Sequence, residues 1–173
     1  MENQNKAPDF VGMGKKLMQD LLIDAEVEGL KFIQTNFEKE GFMDASFQGW
    51  EKRKTPISYK LLRVTNSLFN SIRAKNNNKD TVTFSTNQPY AEIHNNGGVV
   101  KIPRTPAMRK FFWAMFKKTG DEKWKWMAMS KKPNVVFRMP KRQFIGHSKN
   151  FQERFDRHIV KEILTRFTNI KQI

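Results

Sequence analysis

Three histidines, His94, His147 and His158, are the side chains of this sequence best suited to proton transfer or metal binding. None lies in an HxH or HxxxH pair, and with no cysteine there is no thiolate ligand. A zinc centre needs several His, Cys or carboxylate ligands at workable spacing, and the pattern is missing. No GxSxG elbow presents a serine nucleophile. Gly97-Gly98 lacks the flanking residues of a phosphate-binding loop. Asp121 and Glu122 are adjacent in what reads as a turn. The chain is therefore read as non-enzymatic, with no catalytic residue, no cofactor and no metal.

Charge gives a second kind of chemistry. The 173 residues carry a formal net charge of +15. Between Lys101 and Arg142 thirteen Lys and Arg face only Asp121 and Glu122, a net +11. A field of this sign attracts nucleic acid or an acidic protein surface. Candidate contacts to DNA or an acidic partner are Arg109, Lys110, Lys117, Lys118, Lys123, Lys125, Lys131, Lys132, Arg138, Lys141 and Arg142. Lys123-Trp124-Lys125-Trp126 interleaves cations with rings that could stack on bases. Phe111, Phe112, Trp113, Met115 and Phe116 recur too densely to be all exposed, which favours core or subunit interface. Trp124 and Trp126 alternate as on a strand with one buried face. No zinc-finger, RRM or KH pattern accompanies them.

These residues need elements to position them. A polar tail is expected over 1–11, then a single domain over 12–173 with a basic, Trp-rich segment at 101–142. From Lys15 to Lys39, Leu17, Leu21, Ala25, Gly29, Ile33 and Phe37 step by four, predicting an amphipathic helix stopped by Gly41. Residues 42–57 read as a loop holding Trp50. A second helix is expected over Ser58–Ala74, a strand over Thr81–Thr86, and a helical turn over Pro89–Asn95 ended by Asn95-Asn96-Gly97-Gly98. Val99–Ile102 reads as a strand. Thr105 then Pro106 predict a capped helix to Lys118, with Thr119-Gly120-Asp121 as its stop. Val135–Arg138 is the next strand. Asn150 with Glu153 resembles a capping box for a last helix carrying Phe151, Phe155, Ile159, Ile163 and Phe167. The sum is an α+β fold, a small antiparallel sheet packed by a long N-terminal helix and a C-terminal helix. No signal peptide is visible, and no apolar run approaches the ~20 residues of a membrane helix. The chain reads as soluble, cytoplasmic at synthesis and without a membrane partner.

Three stretches, taken in order, carry a resemblance. The first is Trp50 in its loop, followed by Leu62-Arg63-Val64-Thr65-Asn66-Ser67-Leu68-Phe69-Asn70-Ser71. The second is Tyr90-Ala91-Glu92-Ile93-His94-Asn95-Asn96-Gly97-Gly98. The third is Pro140-Lys141-Arg142-Gln143-Phe144-Ile145-Gly146-His147-Ser148. Over roughly residues 15–167 the chain resembles the phage virion-morphogenesis family, tail-completion proteins similar to the Mu-type tail morphogenesis protein and the lambda-type minor tail protein Z. That family reads L-x-x-T-G-x-L-x-x-S, Y-A-x-I-H-x-x-G-G and P-x-R-x-F-L-G-x-S. The chain departs at Asn66 for Gly and Ile145 for Leu. Asn outranks Gly in a helix interior, so the helix there is expected to survive.

The matching residues are Trp50, Leu62, Thr65, Leu68, Tyr90, Ala91, Ile93, His94, Gly97, Gly98, Pro140, Arg142, Phe144 and Gly146. Their expected work is packing and turn chemistry. One helical turn is expected to bury Tyr90 and Ile93 together, and His94 to hydrogen-bond the backbone that follows. Arg142 is expected to reach an acidic partner while Phe144 anchors in the core. The resemblance implies a structural virion protein at the head–tail junction, in the neck or upper tail. Its implied partners are other copies of itself in a ring, the tail tube or tail terminator, the head connector and passing DNA. A free nucleic-acid-binding protein using the 101–142 segment is the competing expectation.

Overall fold

The computed structural model describes residues 9–53, 58–77 and 79–168. The chain divides into two compact units. The first comprises residues up to Asn96 and those from Lys141 on; the second is Gly97–Pro140.

The first unit begins with helix α1, Phe10–Lys39. Asp9 caps it, its carboxylate accepting from Gly12 N at 2.9 Å. The predicted loose tail is thus corrected at Phe10 and Val11, which are helical; residues 1–8 lie outside the described residues. Glu40, not Gly41, ends α1, taking the left-handed conformation at φ 52° while its N–H bonds Asn36 O. The loop expected over 42–57 is in part a hairpin. Strands β1, Gly41–Met43, and β2, Phe47–Gly49, pair antiparallel with Gly41 opposite Gly49. Thr55 and Pro56 lie outside the described residues.

The helix expected over 58–74 shrinks to α2, Ser67–Ser71. Leu62 and Asn66 both have positive φ, 59° and 55°, which no α-helix permits. Local side-chain bonds offer the backbone another partner: Thr65 Oγ1 accepts from Ser67 N at 3.3 Å. Arg73–Asn76 is strand β3 instead, paired antiparallel with β4, Val82–Ser85, so that Arg73 faces Ser85. Asn77 Oδ1 makes the turn between them, accepting from the N–H groups of Lys79, Asp80 and Thr81. Helix α3 is Ala91–Asn96.

The second unit is an antiparallel ribbon closed by a helical pair. Strand β5, Gly98–Pro103, pairs with β6, Asn134–Met139, placing Gly98 opposite Met139 and Ile102 opposite Val135. Between them run α4, Pro106–Thr119, and α5, Glu122–Met129. Thr105 caps α4 as expected, accepting from Met108 N, and Gly120 at φ 69° ends it. The strand expected around Trp124 and Trp126 is corrected: both lie on α5, capped by Asp121. Its core is Phe112, Ala128 and Val135, with Met108, Trp124 and Met127 around them. Phe112 and Trp124 stack at 5.9 Å, a contact across two helices that no four-residue window reveals.

Helix α6, Lys149–Thr168, returns the chain to the first unit. Its cap is Ser148, whose Oγ accepts from Phe151 N at 3.1 Å, so the box expected at Asn150 is corrected by two residues. Residues Asp20, Asp24 and Glu28 of α1 meet Arg166, His158 and Arg154 of α6 at 2.7, 2.8 and 3.2 Å. No residue of α6 is fully buried; it docks through the half-buried Phe151, Phe155, Ile159 and Phe167, with this ladder of polar pairs setting its register. The α+β class is as predicted. The long N-terminal and C-terminal helices are present, and the strands form three two-stranded antiparallel sheets.

Candidate functional site

Phe37 and Phe144, the two most deeply buried rings of the chain, meet at 4.9 Å in the first unit. Trp50 stands edge-on to Phe37 at 5.6 Å and Phe69 does the same from another side. Around these rings, polar groups pin the segment from Lys141 to Ser148. Trp50 Nε1 donates to Gln143 O at 2.8 Å. Asn36, buried on α1 beside Phe37, donates from Nδ2 to Phe144 O and accepts from Met43 N, both at 3.3 Å. Asn95 Oδ1 accepts from Phe144 N and Ile145 N, each at 3.0 Å. Arg142 N donates to His94 O at 2.8 Å, and Ser148 Oγ donates to Met43 O at 2.6 Å. Buried backbone groups need partners of this kind, and an irregular segment must find them in side chains.

Arg142 is 8 % exposed and therefore does not reach outward as expected. Its Nε and Nη2 both donate to Glu51 O, at 3.2 and 3.0 Å. Burial lowers its pKa, as does the charge of Arg53, against the carboxylates of Glu51 and Glu40. His94 is also shifted: burial first, then the Arg142 charge, holds its pKa below the ordinary imidazole value. Its Nδ1 is buried and has no hydrogen-bond partner among the described residues. The bond expected from the His94 side chain to the following backbone is not seen at Nδ1; its carbonyl instead accepts from Arg142 N.

Two clefts of the first unit bear on catalysis. One of about 270 Å³, lined by Asp24, Val27, Glu28, Arg154, Phe155 and His158, holds a His–carboxylate pair but no hydroxyl or thiol nucleophile. Another is lined by Ser67, Ser71 and Thr86 with Arg73, without a histidine or carboxylate to act as base.

The second unit presents charge. Lys110, Lys117 and Lys118 of α4, Lys131 and Lys132 before β6, and Arg138 on β6 are all exposed. Arg104 is spent internally, its N and Nε donating to Pro133 O and Lys132 O and its Nη1 to Met127 O. Large apolar side chains are exposed among the cations: Phe111, Trp113, Trp126, Val136 and Phe137.

Residues 41–165, well over half of the chain, match the sequence pattern of the phage virion morphogenesis family. The chain belongs to the phage virion morphogenesis family. No curated protein and no solved structure gives a further match. Membership assigns a role in phage virion assembly.

Within this virion-morphogenesis chain, the motif residues separate by depth. Trp50, Leu68, Ala91, Arg142 and Phe144 are buried, and Leu62, Ile93 and His94 half-buried. Thr65 and Gly146 are exposed. Tyr90, expected to be buried with Ile93, is exposed, and Ala91 takes the buried place. Its ring stands edge-on to His94 at 5.9 Å. Gly97 and Gly98 adopt φ 70° and 140°, conformations that favour glycine. Pro140 ends the second unit. Among the predicted contact cations, Arg109, Lys123 and Lys141 are exposed and Lys125 half-buried.

Sequence reasoning gave no role to Asn36, and none beyond turn or motif membership to Asn95 and Ser148. Asn36 had a readable signal, a polar residue flanking Phe37 on an otherwise apolar helix stripe. Asn95 sits at a position that the motif leaves open. Gln143 contributes its backbone carbonyl, which no residue type reveals. Asn66 gains an explanation: its left-handed backbone, not a helix interior, is what the motif's glycine serves.

Proposed function

We propose that this chain is a structural, non-catalytic component of the head–tail junction of a tailed phage, acting in tail completion. Several copies form a ring that joins the tail tube or tail terminator to the head connector. The protein passes from the host cytoplasm into the virion and stays at the neck or upper tail. The observation that carries the reading is the family match across residues 41–165.

Surface character supports assembly. On α6, Val160, Ile163 and Leu164 are exposed at helical spacing on the side away from the ion ladder. In the second unit Trp126 is 63 % exposed. Apolar side chains exposed together on one helix face, as on α6, suit cover by a partner, and identical copies would supply it by closing a ring. The motif residues serve the fold that presents these surfaces.

The test joins light-scattering mass of the purified protein with electron-microscope localisation in purified virions. A multi-copy density at the neck or upper tail is expected. A monomer that binds neither isolated tails nor connectors sinks the reading. Absence from the virion would point to a free DNA-binding or transient assembly factor.

A further inference from the structure

The second unit holds more positive charge than its own fold can use. Of the eleven Lys and Arg between 97 and 140, Lys123 pairs with Asp121 at 2.7 Å and Arg104 is consumed by backbone carbonyls. The remaining nine have no carboxylate partner among the described residues. Helix electrostatics accounts for few of them. Lys117 and Lys118 suit the C-terminal turn of α4, where cations are favoured. Arg109 and Lys110 lie toward the opposite end, and the first turn of α4 has no acid. On the ribbon, Lys101 pairs with Val136 and Arg138 with Val99, so both emerge on the face turned away from Val135 and the helical pair, on the other side of the unit from Lys110 and Lys117, which lie opposite buried Phe112 on α4.

We propose that the outer face of α4 in this unit, with Lys110, Lys117 and Lys118, is a contact surface for the phosphate backbone of duplex DNA. The proposal rests on the head–tail reading, which puts the chain around the path of the genome. Charge complementarity carries it. Each copy bears +15, and a ring of such copies repels itself unless a polyanion lies against it. Three of the five acids of α1, Asp20, Asp24 and Glu28, are already engaged with α6, which leaves only Glu26 and Glu38 on that helix for a neighbouring copy. Seven of the nine unpaired cations are lysines. Lysine is depleted in protein–protein interfaces but binds phosphate as a point charge. Lys110 and Lys117 lie seven residues apart on α4, roughly 10 Å along the axis. That is roughly three phosphate steps of one strand at about 3.4 Å each. Contacts of this type are independent of base sequence.

The experiment uses the full-length protein and a labelled mixed-sequence duplex, with affinity read by anisotropy from about 50 to 200 mM salt. The test variant is Lys110→Gln, Lys117→Gln, Lys118→Gln, Lys131→Gln and Lys132→Gln together. The control is Lys15→Gln, Lys16→Gln and Lys39→Gln on exposed positions of α1. Binding should weaken with salt, and the test variant should flatten the log–log slope by about 0.9 for each phosphate contact removed. The control should leave the slope unchanged. Thermal melting of each variant shows whether it is folded. Equal loss in the control overturns the proposal, and so does tighter binding of poly-glutamate than of duplex, which would assign the surface to an acidic protein. A chain located at the neck of virions that binds no duplex overturns this proposal and leaves the assembly reading intact. A chain that binds duplex but is missing from virions fails the assembly reading instead.

Discussion

Asn95 Oδ1 accepts hydrogen bonds from both Phe144 N and Ile145 N, at 3.0 Å each, and so joins the Tyr90–Gly98 motif to the Pro140–Ser148 motif. Two segments some fifty residues apart share one side-chain oxygen. The joint also explains why the segment 141–148 can sit in a core without belonging to a helix or strand: the N–H groups of Arg142, Phe144 and Ile145 are satisfied by the first motif, and the carbonyls of Gln143 and Phe144 by Trp50 and Asn36.

Asn95→Ala should lower stability by about 2 kcal/mol, because two partly buried N–H groups lose their acceptor. Asn95→Asp keeps a carboxylate oxygen in place and should recover most of that loss at neutral pH. Urea unfolding of the three proteins measures it. Equal losses in both variants would mean that the amide donor to Asn96, and not the shared acceptor, matters.

Asn66 tests the backbone. At φ 55° and ψ 5° it holds a conformation open to Gly and Asn but poor for Ala. Asn66→Gly should be close to neutral, losing only the bond from Arg63 Nε at 3.1 Å. Asn66→Ala should cost about 1–2 kcal/mol. A helix-interior position would reverse the order, since there Ala is favoured over Gly.

Gly29 sits in the middle of α1, where glycine costs about 1 kcal/mol relative to alanine. A Cβ there would lie 2.1 Å from Phe84 Cζ, so the ring that packs on it would have to move. Gly29→Ala should therefore destabilise by about 1–3 kcal/mol despite its better helix propensity. Combining it with Phe84→Leu should cost less than the sum of the two single changes, a coupling that a double-mutant cycle reads directly.

His94 gives a pH dependence with a definite sign. Its folded pKa lies below its unfolded value of about 6.5, through burial and the neighbouring Arg142 charge. Below that unfolded value the unfolded chain binds a proton that the folded chain refuses. The stabilisation is complete above about pH 6.5 and is lost as pH falls through the folded pKa. His94→Gln should flatten the stability profile between about pH 7.5 and pH 5.5. Unfolding midpoints for both proteins across that range provide the check, and parallel profiles would remove His94 as the cause.

Long elements with one dominant period were legible. The four-residue steps from Leu17 to Phe37 lie on α1, and Thr105-Pro106 with Gly120 bounds α4 within a residue. Short elements were not. Leu61, Leu62, Leu68 and Phe69 fit a helix over 58–74, yet Leu62 and Asn66 turn the chain with positive φ and Ala74 joins a strand. Lys123-Trp124-Lys125-Trp126 alternates over four residues, too few to separate a period of 2.0 from one of 3.6. Stacking of Trp124 on Phe112 belongs to the helical arrangement.

From residue types alone came the family resemblance, the α+β class and the concentration of charge between Lys101 and Arg142. Each is local, set by order, periodicity or a sum over side chains, and survives without knowledge of what touches what. Tertiary structure alone decided the direction of Arg142, the exposure of Tyr90, the roles of Asn36 and Asn95, and the separation of Gly97–Pro140 as its own unit. The Arg142 guanidinium turns inward because the Glu51 carbonyl awaits it, brought there by a segment 91 residues away in the chain.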